Sequence, residues 1–174
     1  MRRATAVLLI VAVAAGFPPL PAAGADEGPL VVRPEAVTAI PNAAPAVKAR
    51  SLVPIHSSLL FGSKGRKIDF SAVLNVHNAD HRQILVVDRI EYRDSSGAVI
   101  EAFEGFPIAL KPYASLQILI KQNDTRGDVG SSLTVDWSST ATIDEPLVEA
   151  ALISTSGVQG FSLVSQARRV SRPD

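Results

Sequence analysis

Apolar and polar residues alternate along several short runs of this chain. In the clearest run, 67–77, every second residue is apolar and the residues between are polar except Val73; the apolar set is Ile68, Phe70, Ala72, Leu74 and Val76. Because successive side chains of a β-strand point to opposite faces, this alternation predicts a strand with one buried face.

Further β-like runs occur along the chain, with turn residues between them. The predicted strands are 52–60, 83–93, 98–103, 113–121, 133–137 and 161–164. The tetrapeptide 94–97, Asp-Ser-Ser-Gly, lies between two of these runs and predicts a hairpin. Without a convincing long amphipathic helix, the pattern favours an all-β fold, an antiparallel immunoglobulin-like β-sandwich of about seven to nine strands.

The stretch 142–153 is compatible with two secondary structures. Thr142 with Glu145 three residues later imitates a capping box, and Pro146 suits the first turn of a helix. The run is short, however, and strands and turns surround it. A strand is therefore favoured over a helix.

The N-terminal region is typical of a secretion signal. Arg2 and Arg3 precede an apolar run, and the segment 23–25, Ala-Gly-Ala, is an A-x-A processing site. The apolar run is shorter than the roughly 20 residues that a membrane span needs. We therefore predict a signal peptide over 1–25, a proline-rich spacer over 26–50, a β-sandwich domain over 51–169 and a tail over 170–174, in a periplasmic or secreted protein without a membrane span after cleavage.

Composition narrows the function classes. The 174 residues include no cysteine, so the protein has no thiol chemistry and no disulfide. Lys and Arg number 17, as do Asp and Glu; removing Arg2 and Arg3 leaves 15 − 17 = −2, which gives no general attraction to nucleic acid. The one basic cluster, Arg168, Arg169 and Arg172, is interpreted as a solvated tail.

Several segments in order resemble one protein family. They are VPIHS at 53–57, YRDSSG at 92–97, LKPY at 110–113, NDTRG at 123–127, VDW at 135–137 and DEPLVEA at 144–150. Together they resemble an uncharacterised family of exported bacterial proteins, a domain of unknown function, over roughly 51–169. The resemblance implies an exported bacterial context and an immunoglobulin-like sandwich, and it implies no activity. The family pattern has a second glycine after DTRG, where this chain has Asp128.

The loop 122–132 carries the main candidates for a binding site. Its carboxylates could ligate a hard cation such as calcium through oxygens, although Arg126 lies between them and the spacing is not that of a dedicated calcium loop. In the other interpretation, Asp124 caps the turn and Arg126 pairs with Glu149 or Asp144. The candidate binding residues are Asp124, Thr125, Arg126, Asp128, Glu145 and Glu149.

Other chemistry-bearing residues are few. His77 and His81 are candidate metal ligands, with Asp80 between them and His56 more distant. A spacing of four residues brings two side chains together on a helix, but here the first histidine is on a strand and the second in a loop. No serine lies in a G-x-S-x-G elbow. Trp137, on an alternating strand, is expected to be a core anchor rather than a ligand platform.

These observations predict a non-enzymatic module of the bacterial envelope. We expect it to need no cofactor and to bind an envelope protein or support an assembly, since sandwich folds expose edge strands and end loops. The alternative is a module for a small ligand or divalent cation that uses the 122–132 loop.

Overall fold

Alternating side chains build two antiparallel sheets whose inner faces share one core. The structure, a computed structural model, describes residues 28–156 and 160–171. The predicted signal peptide, 1–25, lies outside the described residues. Within them, no helix is long and apolar enough to cross a membrane. The helical structure there is a single 3₁₀ turn, Pro34–Ala36.

The first sheet has five strands in the order β1-β10-β6-β12-β13. Their bounds are β1 Leu30–Val32, β6 Ser71–His77, β10 Ser115–Ile120, β12 Leu147–Ser154 and β13 Phe161–Gln166. β6 lies at the centre and pairs Val73 with Leu119 on one side and with Ala151 on the other.

The second sheet has seven strands. Six follow the order β14-β3-β11-β7-β9-β2, and β8 also pairs with β7. Their bounds are β2 Val37–Thr38, β3 Val47–Pro54, β7 Leu85–Arg93, β8 Val99–Ala102, β9 Ile108–Leu110, β11 Ser132–Ser139 and β14 Arg168–Val170. A small hairpin, β4 Ser58–Phe61 and β5 Arg66–Asp69, connects β3 to β6.

The core lies between the two sheets, an arrangement consistent with a β-sandwich. Inward residues of the first sheet, such as Leu74 and Ile118, are fully buried together with Leu133 and Trp137 of the second. Burial of such apolar side chains is the main favourable contribution to folding, at about 25 cal/mol per Å² of apolar surface.

Chain segments at both sides of this core pass from one sheet to the other. On one side, the chain leaves β1, makes the 3₁₀ turn and enters β2 on the opposite sheet. On the other side, β13 leads through Ala167 into β14, which pairs with β3. Each side of the sandwich is therefore closed by a segment from near one end of the described chain.

The sequence pattern predicted which face of each strand is buried more accurately than where each strand begins and ends. The five apolar residues of the 67–77 run are all buried, but the run divides at Phe70, whose N–H donates to Ser57 O (2.9 Å). The ambiguous stretch contains strand β12, as favoured. Fourteen strands occur in the described residues, more than the seven to nine expected, because strands of two to four residues leave little pattern.

Candidate functional site

The 122–132 loop connects β10 to β11 at one end of the two sheets, here called the 122–132 end. Asp124 N–H donates to Lys121 O (2.9 Å), and Asp128 N–H donates to Thr125 O (3.1 Å), so two consecutive turns shape the loop. The Asp124 carboxylate also accepts from the backbone N–H of Arg126 at 3.3 Å. Asp124 therefore caps its own turn, as one interpretation of the sequence predicted.

Arg126 binds two carboxylates at once. Its Nε and Nη2 donate to the two oxygens of Asp124 at 2.9 and 2.7 Å, a bidentate pair, and Nη2 also donates to Glu101 Oε2 at 2.5 Å. This pairing lowers the pKa of Asp124 and raises that of Arg126. The predicted partners, Glu149 and Asp144, were wrong, because β8 brings Glu101 to this loop.

The second carboxylate of the loop is also paired with a cation of the protein. Lys67 Nζ of β5 lies 2.6 Å from Asp128 Oδ1, and this hydrogen bond lowers the pKa of Asp128. The backbone of Asp128 has φ 54°, in the left-handed region that favours glycine. Asp128 thus occupies a backbone conformation that glycine adopts without steric cost.

Beneath the loop, Gly127 is buried against a cluster of hydroxyl groups. A Cβ added to Gly127 would overlap Tyr92 Oη and lie 2.6 Å from Ser131 Cβ. Tyr92 and Ser57 hydrogen-bond to each other through their hydroxyls, and Ser131 Oγ donates to Ile55 O at 3.0 Å. Gly127 therefore packs the loop closely against the core, and the charged residues of the loop lie outside the core.

A cavity of about 250 Å³ borders this loop. Its lining combines apolar residues with the paired charges: Gly28, Pro29, Glu101, Phe103, Leu119, Ile120, Lys121, Asn123, Asp124 and Arg126. Two of the predicted binding residues, Asp124 and Arg126, face this cavity, and Thr125 lies between them in sequence.

The predicted residues Glu145 and Glu149 lie elsewhere. They line a separate cavity of about 440 Å³ between β12 and the β13–β14 segment, together with Arg168 and Arg169. The 122–132 loop adjoins the opposite end of β12, where Thr155 Oγ1 donates to Gln122 Oε1 (3.3 Å). The predicted binding residues therefore form two groups. Arg168 and Arg169 lie in strand β14, so these two members of the basic cluster belong to the folded domain.

The three histidines lie at opposite ends of the sheets. His77 ends β6 opposite Ser115 and Leu147, and the exposed His81 has Nδ1 3.9 Å from Asp80 Oδ1. His56 follows β3 at the 122–132 end, where burial lowers its pKa. Among the described residues, no group of three or more His, Cys, Asp or Glu could hold a metal ion.

Trp137 is a core anchor, as expected from its strand. Only 1% of the residue is exposed, its Nε1 donates to Ser51 Oγ at 3.1 Å, and the Arg169 guanidinium lies 5.5 Å from the ring centroid. The ring is thus held by packing, a hydrogen bond and a cation–π contact.

The outward face of the five-stranded sheet was missed by the sequence analysis. Strand pairing places Leu119, Val73, Ala151 and Val164 side by side across four strands, a set here called the apolar row. Val164 is 62% exposed and Leu119 38%, whereas Val73 and Ala151 are half-buried. The available signal was Val73, the one apolar residue on the polar side of its strand.

The outward face of the seven-stranded sheet carries a network of charges instead. Arg50 Nε and Nη2 donate to the carboxylate of Asp136 at 2.6 and 2.7 Å. Glu91, almost fully buried, accepts from Arg93, and Arg89 Nη2 lies 2.6 Å from its Oε1. The two sheets therefore present chemically different faces to the solvent.

Sequence and structure together define this molecule as an all-β domain of two antiparallel sheets around one core. The model of the family described as "Protein of unknown function (DUF3124)" matches residues 48–170, and the chain belongs to this family. No curated protein matches the sequence. Among solved structures, "Crystal Structure of Thermotoga maritima 1070" aligns with a TM-score of 0.42 and 9% identity, covering 73% of this chain and 95% of that one.

Proposed function

We propose that this protein is a non-enzymatic module of the bacterial envelope, periplasmic or secreted, that binds another protein through the outward face of its five-stranded sheet. The signal-like segment 1–25 supports the location. We include an immunoglobulin-like topology in this proposal, since the chain passes repeatedly between the two sheets, from β6 to β7 and from β10 to β11.

The apolar row is the observation that carries the proposal. A sheet face directed toward water normally carries polar side chains. Here four strands contribute adjacent apolar residues, and Leu147 and Ile153 are exposed on the same face of β12. A contiguous exposed apolar surface is typical of a protein-binding site.

The charge pattern around the row supports the same function. At the outward positions of the five strands, the titratable residues are Glu149 and His77 alone. The centre of a protein interface is depleted in charged residues, whereas solvated surfaces are not. The outward face of the other sheet carries the charged network of Arg50, Asp136 and Glu91 instead. The partner that fits the apolar row therefore presents an apolar, uncharged surface of its own.

Site-specific crosslinking in cells tests this proposal. A photo-reactive residue at Leu119 should give one discrete adduct with another protein, and the substitution Val73→Glu should abolish that adduct while leaving the melting temperature within a few degrees. The matched control is Val99, which is 46% exposed on β8 of the other sheet. Equal labelling from both positions, or no adduct at Leu119, contradicts the proposed function.

A second candidate function rests on the cavity beside the 122–132 loop. The lining of this cavity, about 250 Å³ in volume, includes the apolar Phe103 and the charged Arg126, a combination that occurs in small-ligand sites. Binding of a cation by the loop requires the ion pairs Asp124–Arg126 and Asp128–Lys67 to break. A rise in melting temperature with calcium that Asp124→Asn removes supports this function, and unchanged melting with calcium, zinc and a panel of sugars contradicts it.

A further inference from the structure

The free edges of the two sheets differ in how they are protected against pairing. An edge strand presents unpaired N–H and C=O groups, and natural proteins block such edges with short strands, prolines or charges. β1 has three residues with Pro29 directly before it, and β2 has two residues. β8 carries Glu101, and β14 carries two arginines.

β13 lacks all of these protections. Its six residues, Phe-Ser-Leu-Val-Ser-Gln, include no charge and no proline. It pairs with β12 along one edge, and no strand of the described residues pairs with the other edge. Its outward residue Val164 is among the most exposed apolar side chains that the structure describes.

We infer that β13 pairs antiparallel with β13 of a second copy of this chain, which joins two five-stranded sheets into one of ten strands. Self-pairing around a two-fold axis places the same strand opposite itself, so an edge strand with charges of one sign would bring like charges together. The uncharged β13 avoids this repulsion, and it offers no charge complementarity to a charged partner strand.

The alternation of side chains limits the possible registers, and the exposed Val164 selects one of them. Residues directly opposite in an antiparallel pair share a face, so the two-fold axis must pass through a residue rather than between two. An axis at Val164 places Val164 against Val164 of the second copy and Ser162 against Gln166 of the second copy. This register covers the exposed Val164 and continues the apolar row from one copy into the other.

Disulfide formation at Val164 tests the pairing directly, because the chain has no cysteine of its own. Opposed residues in an antiparallel pair have Cα atoms about 4.5–5.5 Å apart, within the range for a disulfide. Under mild oxidation, Val164→Cys should become a covalent dimer. Leu147→Cys, 65% exposed on the same face of β12, is the matched control and should stay monomeric.

Charge substitutions provide a second test of the register. The wild-type protein should show concentration-dependent dimerisation in analytical ultracentrifugation, and Val164→Lys and Val164→Glu should each abolish it. An equimolar mixture of the two variants should dimerise again, while Val164→Thr should behave as wild type. Thermal melting of each variant shows whether the fold is intact.

Three results overturn this inference. They are a wild-type protein that stays monomeric at every concentration, equal crosslinking of the two cysteine variants, and a disulfide to a different protein in place of the dimer. The inference uses the edge of the sheet and a second copy, so it does not depend on the partner protein proposed for the outward face. Loss of the Leu119 adduct leaves it standing.

Discussion

Gly127 lies against Tyr92 so closely that an added Cβ would overlap the tyrosine hydroxyl. Its φ is not in the left-handed region, so the restriction is steric. We expect Gly127→Ala to destabilise the protein by about 1–3 kcal/mol, since the core must move to accept a methyl group. Urea denaturation measures this loss.

Removal of the hydroxyl should relieve part of that overlap. We expect Gly127→Ala combined with Tyr92→Phe to lose less stability than the sum of the two single changes, although Ser131 still crowds the site. Simple additivity would contradict the steric explanation.

Trp137→Ala should lower the free energy of unfolding by about 3–5 kcal/mol, because it empties a large volume of the core. Tyr113→Ala is the control, since that side chain is exposed; it should change stability by less than about 0.5 kcal/mol. Both variants can be compared by urea denaturation. Similar losses for the two would place the tryptophan ring outside the core.

Asp136→Ala should cost about 2–4 kcal/mol, because it leaves Arg50 largely buried without its carboxylate partner. The hydrogen bond to Asp136 raises the pKa of Arg50, in agreement with this pairing. Denaturation of the double variant Arg50→Ala/Asp136→Ala should show a smaller loss than the sum of the single variants. If the losses simply add, the two residues do not interact in solution.

Asp80 should make stability depend on pH in the acidic range. Its carboxylate accepts the backbone N–H groups of Gln83 (2.8 Å), Arg82 (2.7 Å) and Asp144 (3.1 Å), which lowers its pKa from 3.8 to about 2. A lowered pKa in the folded state contributes stability above the unfolded value of 3.8 that is lost as pH falls through about 2.

The variant Asp80→Asn tests that dependence. It should melt below the wild type at neutral pH, and the difference should shrink as the pH falls from about 4 toward 2. Melting curves across this range measure it, and a difference that stays constant with pH would contradict the assignment.

Arg126→Ala should leave two carboxylates beside the 122–132 loop without their cationic partner. Its guanidinium lies between Asp124 and Glu101, and Nη2 is bonded to both carboxylates. Without it, the two carboxylates are free to ligate calcium. We expect calcium to raise the melting temperature of the variant more than that of the wild type, with Arg126→Lys as the control that keeps the positive charge. An equal rise in both proteins would support the cation function of the wild type, and no rise in the variant would contradict this prediction.

The sequence pattern predicted the faces of the strands because alternation reports burial directly. Ile68 and Leu74 were assigned to the core in this way, and so was Trp137 through its neighbours Leu133 and Val135. The strand β12 was favoured over a helix for a similar reason, since its surroundings were β-like. Family membership, expected from the six segments, agrees with the match over 48–170.

Relationships between distant strands could not be predicted in the same way. Arg126 was paired with downstream carboxylates, whereas its second partner Glu101 lies on β8, and local sequence does not encode which strands become neighbours. The apolar row could not be predicted for the same reason. Val73 becomes part of an apolar surface only because β10 and β12 place Leu119 and Ala151 beside it.

The pairing of early strands with late ones sets the order in which the chain can fold. Leu30 in β1 pairs with Ile118, and Val47 in β3 pairs with Ser139, so the first strands have no partners until most of the polypeptide is present. Folding dominated by such distant contacts is slow. When such a chain emerges N-terminus first, local hairpins such as β4–β5 can form early, whereas β1 and β3 lack these partners until the residues near 120 and 139 have followed.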